Sequence, residues 1–114
     1  MVSLERHLQN RSPEIIALFD VLIARIRDFG EFKIEPVKGA VILRKSVAFI
    51  TIRVQKECLD ISFKLDYHVE EFPVYKTLQY SRNRWAHAVK LESEEEIDAQ
   101  LLTWLKQASD LVKE

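Results

Sequence analysis

Apolar residues recur along this chain with two different periods. In SPEIIALFDVLIARIRDFG they fall at Ile15, Leu18, Phe19, Leu22, Ile26 and Phe29, three and four apart, which makes one stripe of an amphipathic helix. Ser12 fits the N-cap of that helix, Pro13 its first position, and Gly30 a left-handed close. From residue 31 the period drops to two. EFKIEPV, AVILRK, VAFITIRVQ and CLDISFKL predict strands joined at VKGA, RKS and QKE. Connections that short join antiparallel neighbours, because a parallel pair needs a long crossover. DYHVEEFPVY predicts a loop pinned by Pro73, and KTLQYS and RWAHAVKL predict two further strands turning at Arg82–Asn83. The helical period returns in SEEEIDAQLLTWLKQASDLVKE, with Ile97, Leu101, Trp104, Leu105, Ala108 and Leu111 on one stripe. Ser93 and Glu96 have capping-box spacing there, and the three glutamates suit the positive end of the helix dipole.

The expected fold is therefore α+β, one domain over residues 1–114: an N-terminal helix, a five- or six-stranded antiparallel sheet and a C-terminal helix, with both helices on one sheet face. Alternation sorts the strand residues between the faces. Leu59, Ile61, Phe63 and Leu65 oppose Cys58, Asp60, Ser62 and Lys64; Ile50, Ile52 and Val54 oppose Phe49, Thr51 and Arg53; Val41 and Leu43 oppose Ile42 and Arg44. On the last strand Trp85, His87, Val89 and Leu91 oppose Arg84, Ala86, Ala88 and Lys90. The bulky set belongs to the core, although two alanines also suit helix packing and leave that strand's orientation open.

The face that remains carries Arg44, Arg53, Lys64, Arg84 and Lys90 against Asp60. A solvated side of a half-buried sheet is the plain reading of such a face. The functional reading is a non-catalytic module that presents Arg44, Arg53, Lys64 and Arg84 to an anionic partner such as a nucleic acid. Single-strand binders of that kind interleave basic side chains with stacking aromatics, and here Phe49 is the aromatic expected on the face. A self-association surface is a third reading, with Phe49 and Ile42 covered by a second copy. The assembly is then a monomer or a homodimer.

His87, between Trp85 and Val89, reads first as a core histidine with both nitrogens satisfied. Its alternative is a small-ligand pocket or weak enzyme centred on His87 and Arg84, with His7 as a further member.

Composition narrows the chemistry. The 114 residues are 47% hydrophobic with a formal charge of -1, ordinary for a globular domain. The charge is uneven: residues 31–90 hold eleven Lys and Arg against seven Asp and Glu, whereas residues 91–114 hold two against seven. One cysteine, Cys58, rules out an internal disulfide and fits a reducing compartment. No signal-peptide core opens the chain and no apolar run is long enough for a membrane span, so a cytoplasmic location is expected. His7, His68, His87 and Cys58 have no zinc-site spacing, both glycines are isolated, and no serine sits in a nucleophile elbow. No metal or other cofactor is expected, Cys58 reads as an inert small residue, and Glu94–Glu96 read as helix-start electrostatics.

Three stretches carry a resemblance: ERHLQNRSPEIIALFDVL, CLDISFKLD and SRNRWAHAVKLESEEEIDAQLLTWLKQASDLV. Their most specific parts are His7 before Ser12, Pro13 and Glu14, the LDISFKLD strand, and Arg84, Trp85 and His87 leading into the final helix. On these the chain resembles the bacterial and archaeal family known as domain of unknown function 5655, over nearly its whole length. The resemblance implies a module found alone or appended to larger proteins, some similar to restriction or DNA-processing systems, and it adds weight to the nucleic-acid reading. It implies no activity and no catalytic residues. The final strand and helix are also similar, more loosely, to the small YjbR-like proteins, whose compact helix-and-sheet fold agrees with the order above.

Overall fold

The computed structural model describes residues 3–112, so the last two residues of the expected C-terminal helix lie outside the described residues. The elements are α1 (Leu4–Leu8), α2 (Pro13–Arg27), β1 (Lys33–Val37), β2 (Ala40–Arg44), β3 (Ala48–Val54), β4 (Leu59–Leu65), β5 (Lys76–Ser81), β6 (Arg84–Leu91), a 3-10 turn (Glu94–Glu96) and α3 (Ala99–Leu111). All six strands form one sheet in the order β1-β2-β3-β4-β6-β5, and every neighbouring pair is antiparallel. The α+β class and the helix-covered sheet are as the pattern predicts.

The helix α2 starts as its sequence dictates. Ser12 Oγ accepts from the Ile15 N–H at 3.2 Å, and Pro13 occupies the first turn. Ile15, Leu18, Phe19, Leu22 and Ile26 are buried against the sheet. Asp28 caps the helix, and Gly30 follows with φ +128°, a conformation that any side chain would strain. The segment before it is a short helix that the pattern leaves unmarked. Leu4 and Leu8 of α1 pack on the core, and Asn10 turns the chain at φ +62°. From this corner His7 Nε2 donates to the Val37 carbonyl at 2.8 Å, and Arg11 Nη2 to the Val54 carbonyl at 3.3 Å. Carbonyls near the ends of β1 and β3 are thereby satisfied.

The C-terminal helix begins later than its first glutamates suggest. Ser93 and Glu96 do form a capping box, but the box closes a 3-10 turn. The α-helix starts only at Ala99, where Asp98 Oδ1 accepts from the Leu101 N–H at 2.9 Å. Leu101, Trp104, Leu105 and Ala108 then face the sheet. Near the far end of α3, Lys45 Nζ donates to the Ser109 carbonyl and hydroxyl at 3.2 and 2.7 Å, a cation placed where the helix dipole favours one.

Beneath these helices lies one inward set: Val41, Leu43, Ile50, Ile52, Leu59, Ile61, Phe63, Val89 and Leu91, each at most 1% exposed. Phe49 joins them, against the expectation that it shares a face with Arg53. Leu43 pairs with Ile50 and Arg44 with Ala48, so Phe49 is the extra residue of a β-bulge. The bulge turns its ring into the core, edge-on to Phe32 at 6.1 Å between centroids and beneath Lys45 Nζ at 5.6 Å.

The connection from β4 to β5 is a crossover. Both strands are antiparallel to β6, which lies between them, so residues 66–75 carry the chain back along the sheet. The crossover runs on the helix side: Tyr67 donates its hydroxyl to Gln107 of α3, and Gln100 Nε2 donates to Glu71 at 3.4 Å. Val69, at its middle, is buried.

The bulge makes a sharp prediction. Phe49→Ala should destabilise the domain by about 3–5 kcal/mol in a urea unfolding curve, the range for emptying a buried aromatic site. A loss within about 0.5 kcal/mol, usual for a solvent-facing position, would return Phe49 to the outer face.

Candidate functional site

Pairing register assembles the outer face of the sheet in rows. One row runs Arg53, Asp60, Lys90; the next runs Ile42, Thr51, Ser62, Ala88, Lys76; a third runs Lys64, Ala86, Leu78. Trp85, His87, Val89 and Leu91 lie on the opposite side, in register with Leu65, Phe63, Ile61 and Leu59, which closes the orientation the two alanines had left open. Arg84 stays on the outer side, where Nη1 donates to the Asn83 carbonyl at 2.9 Å.

The expected basic residues are not equally available. Arg44 donates from Nε and Nη2 to Glu35 at 3.2 and 3.0 Å, which places its charge in an exposed ion pair. Arg53, Lys76 and Lys90 enter no salt bridge among the described residues. Lys64 reaches the Ala48 carbonyl at 3.4 Å and sits 5.8 Å from the centre of the Tyr80 ring. Lys90 lies 5.0 Å from the centre of the Tyr75 ring. The face thus gains two aromatic side chains, Tyr75 at 50% and Tyr80 at 47% exposure, while it loses Phe49.

Register explains why pattern reading misses Tyr80 and also Lys76 and Leu78. A plain hairpin at Arg82–Asn83 would set Tyr80 opposite Trp85 and turn Lys76 and Leu78 inward. Instead Ser81 pairs with Arg84 and Gln79 with Trp85, so Tyr80 is inserted as a bulge and the rest of β5 is turned over. Nothing in KTLQYS marks a bulge. The row of small residues on β6, Ala86 and Ala88, is the one sequence signal of a hollow beside it.

A hollow does lie there. Ser62, Ala86 and Ala88 lie along a depression of ≈ 390 Å³, bordered also by Arg53, Asp60, Tyr75, Lys76 and Leu78. At its edge the Tyr75 hydroxyl donates to Asp60 Oδ2 at 2.7 Å. Burial and this carboxylate push the Tyr75 phenol up to about 12. Tyr75 is therefore neutral and held to Asp60 by a charge-assisted bond. Asp60 Oδ1 is buried with no hydrogen-bond partner among the described residues. Burial also raises the Tyr80 phenol, against the opposing effect of Arg84.

His87 belongs to the other side. It is 1% exposed, its Nε2 accepts from the Val69 N–H of the crossover at 3.0 Å, and its ring stacks on Phe63 at 5.6 Å and on His68 at 6.5 Å. His68 continues the stack to Trp85 at 6.4 Å, and Phe63 extends it to Trp104 at 5.9 Å. The accepting bond fixes the neutral tautomer with the proton on Nδ1, a buried atom with no well-formed hydrogen bond among the described residues. His87 is a core histidine with one nitrogen satisfied in this way. His7 sits on α1 against β1, at the far side of the sheet from β6, and Arg84 points to the outer face. The structure does not bring His87, Arg84 and His7 together. Cys58 is buried just before β4, its thiol donating to Gln55 Oε1 at 3.0 Å, and burial raises its pKa. Among the described residues no group of three or more His, Cys, Asp or Glu could hold a metal ion, and no helix is long and apolar enough to cross a membrane.

Burial first, and His68 second, push the His87 imidazole below its ordinary 6.5, with the Phe63 backbone opposing. The unfolded chain takes up a proton near 6.5 while the folded one does not, so this contribution to stability is complete above 6.5 and drains as pH falls towards the lowered value. Unfolding curves between pH 7.5 and 5.5 should show wild type losing stability on acidification and His87→Gln losing less. Equal slopes for the two proteins would remove His87 as the cause.

No curated protein and no solved structure matches the chain. Nothing found bears on the looser likeness to YjbR-like proteins. A family model does match, and it spans all three α-helices and all six strands. On that match, over residues 4–112, the chain belongs to the family described as "Domain of unknown function (DUF5655)".

Proposed function

We propose that the outer sheet face binds a single-stranded nucleic acid, and that the domain acts as a non-catalytic binding module. The observation that carries this reading is the pairing of exposed aromatic and basic groups, Tyr75 with Lys90 and Tyr80 with Lys64, on a face where Arg53 and Lys76 are without a carboxylate partner among the described residues. Bases present π-faces of any sequence, and tyrosine rings give them a stacking surface. Tyr75 and Tyr80 stand five residues apart along an extended segment, roughly 16 Å at strand rise, a span suited to bases two or three nucleotides apart on one strand. The hollow over Ala86 and Ala88 leaves room for a base to lie against the sheet backbone. Phosphates would be met by Arg53, Lys64, Lys76, Arg84 and Lys90. Arg44 contributes less, because Glu35 already neutralises it.

Mixed-sequence single-stranded DNA carrying a fluorescent label tests this by anisotropy. Affinity should fall with salt at a logarithmic slope of about −2 to −3.5, corresponding to roughly three to five phosphate contacts on a single strand. Tyr80→Ala should weaken binding by about 1–3 kcal/mol, the usual value of one stacked base. Arg53→Ala should weaken it and flatten the salt slope, whereas Lys106→Ala on the helix side should change nothing. Undetectable binding at low salt, or equal effects of Lys106 and Arg53, would end the proposal.

A further inference from the structure

The two edges of the sheet are built differently. At the β1 edge, Pro36 has no N–H to offer and the Val37 carbonyl is already taken by His7. At the β5 edge, among the described residues, no proline and no side-chain donor to a strand carbonyl intervenes, and the bulge at Tyr80 lies two residues beyond the central Leu78. Strand hydrogen bonding of Lys76–Ser81 to β6 leaves every second residue's N–H and C=O turned outwards. Its large outer-face side chains are uncovered, with Leu78 at 61% exposure beside Tyr80. An open strand edge with an apolar residue at its centre is a template for another strand.

We infer that β5 is the interface of a homodimer, formed by antiparallel pairing of β5 with the same strand of a second copy about a twofold axis at Leu78. The occupant follows from the strand's own complementarity. In a pairing centred on Leu78, the two leucines meet on the axis, Lys76 stands opposite the partner's Tyr80, and Thr77 opposite the partner's Gln79. Each pair is favourable: apolar with apolar, cation with ring face, hydroxyl with amide. A strand of other sequence would leave Lys76 or Leu78 facing an arbitrary group. The axis stands perpendicular to the sheet, so the outer faces of both copies lie on one side of a single twelve-stranded sheet, a doubling of the six strands observed. The inference rests on the free edge and its register, and it holds whether or not the outer face binds nucleic acid.

Sedimentation velocity over a wide range of protein concentration gives the first measurement, with a monomer–dimer equilibrium expected. Leu78→Lys puts like charges on the axis at an exposed position and should weaken the dimer about tenfold or more. Val47→Lys, at an exposed position of the β2–β3 turn (52%), should leave it unchanged. Leu78→Cys in a Cys58→Ala background should give a symmetric disulfide dimer on mild oxidation, and Val47→Cys should not. This second readout does not depend on the lysine variant folding well. A monomer at every concentration overturns the inference. So does a dimer that Leu78→Lys leaves intact, or one in which Val47→Cys cross-links as readily as Leu78→Cys.

Discussion

The alternation of β4 sets both sides of the molecule at once. Leu59, Ile61, Phe63 and Leu65 must all be out of water, and in a strand that requirement fixes the direction of Asp60, Ser62 and Lys64 without further choice. A slip of one residue would bury a carboxylate and an ammonium while exposing a phenylalanine, a penalty larger than the net stability of an ordinary domain. β4 bonds β3 on one side and β6 on the other, and α3 packs across it, so its choice is transmitted to every row of the sheet. The basic outer face is the complement of the core rather than a separate construction.

What could be read in the chain follows from that constraint. Where strands keep strict alternation and short turns, as in β2 and β4, the faces are legible residue by residue, whereas the direction of β6, open in the sequence because of its two alanines, is fixed by its register with β4; the helix stripes of α2 and α3 are legible with a period of 3.6. Two bulges break the reading. The one at Phe49 hides an aromatic that alternation sends outwards, and the one at Tyr80 turns Lys76 and Leu78 onto the outer side. A bulge is one extra residue whose cost or gain is decided by partners far away in sequence, so neither AFITIR nor KTLQYS contains its signature. The short helix α1 escapes for another reason. Five residues are too few to show a period, and the helix is held by Leu4, Leu8 and the bond from His7 to Val37 rather than by its own propensity.

The candidate site is less legible than the fold because its aromatic half is contributed by the crossover and the bulged strand. Arg53 and Lys64 could be placed from alternation alone, and Arg84 only once the register of β6 fixed its direction. Tyr75 could not, because its position depends on the return path of residues 66–75, which is set by Val69 meeting His87 and by Gln100 meeting Glu71. One segment therefore touches both sides of the sheet: Val69 reaches the stacked rings of the interior, and Tyr75 reaches Asp60 on the exterior. The histidine that looks like a site residue in sequence is part of what orders the tyrosine that lies at the site.

The inequality of the sheet edges has a further consequence, for the size of any assembly rather than its existence. A sheet with two receptive edges can add copies at both ends and grow into a fibre. Here Pro36 and the occupied Val37 carbonyl make the β1 edge a poor acceptor, so the molecule has a strand valence of one. Association along β5 consumes that single valence and presents only blunted edges afterwards. Two residues of the first strand thus set an upper limit of two on the copies that the strand at the other edge can join by pairing.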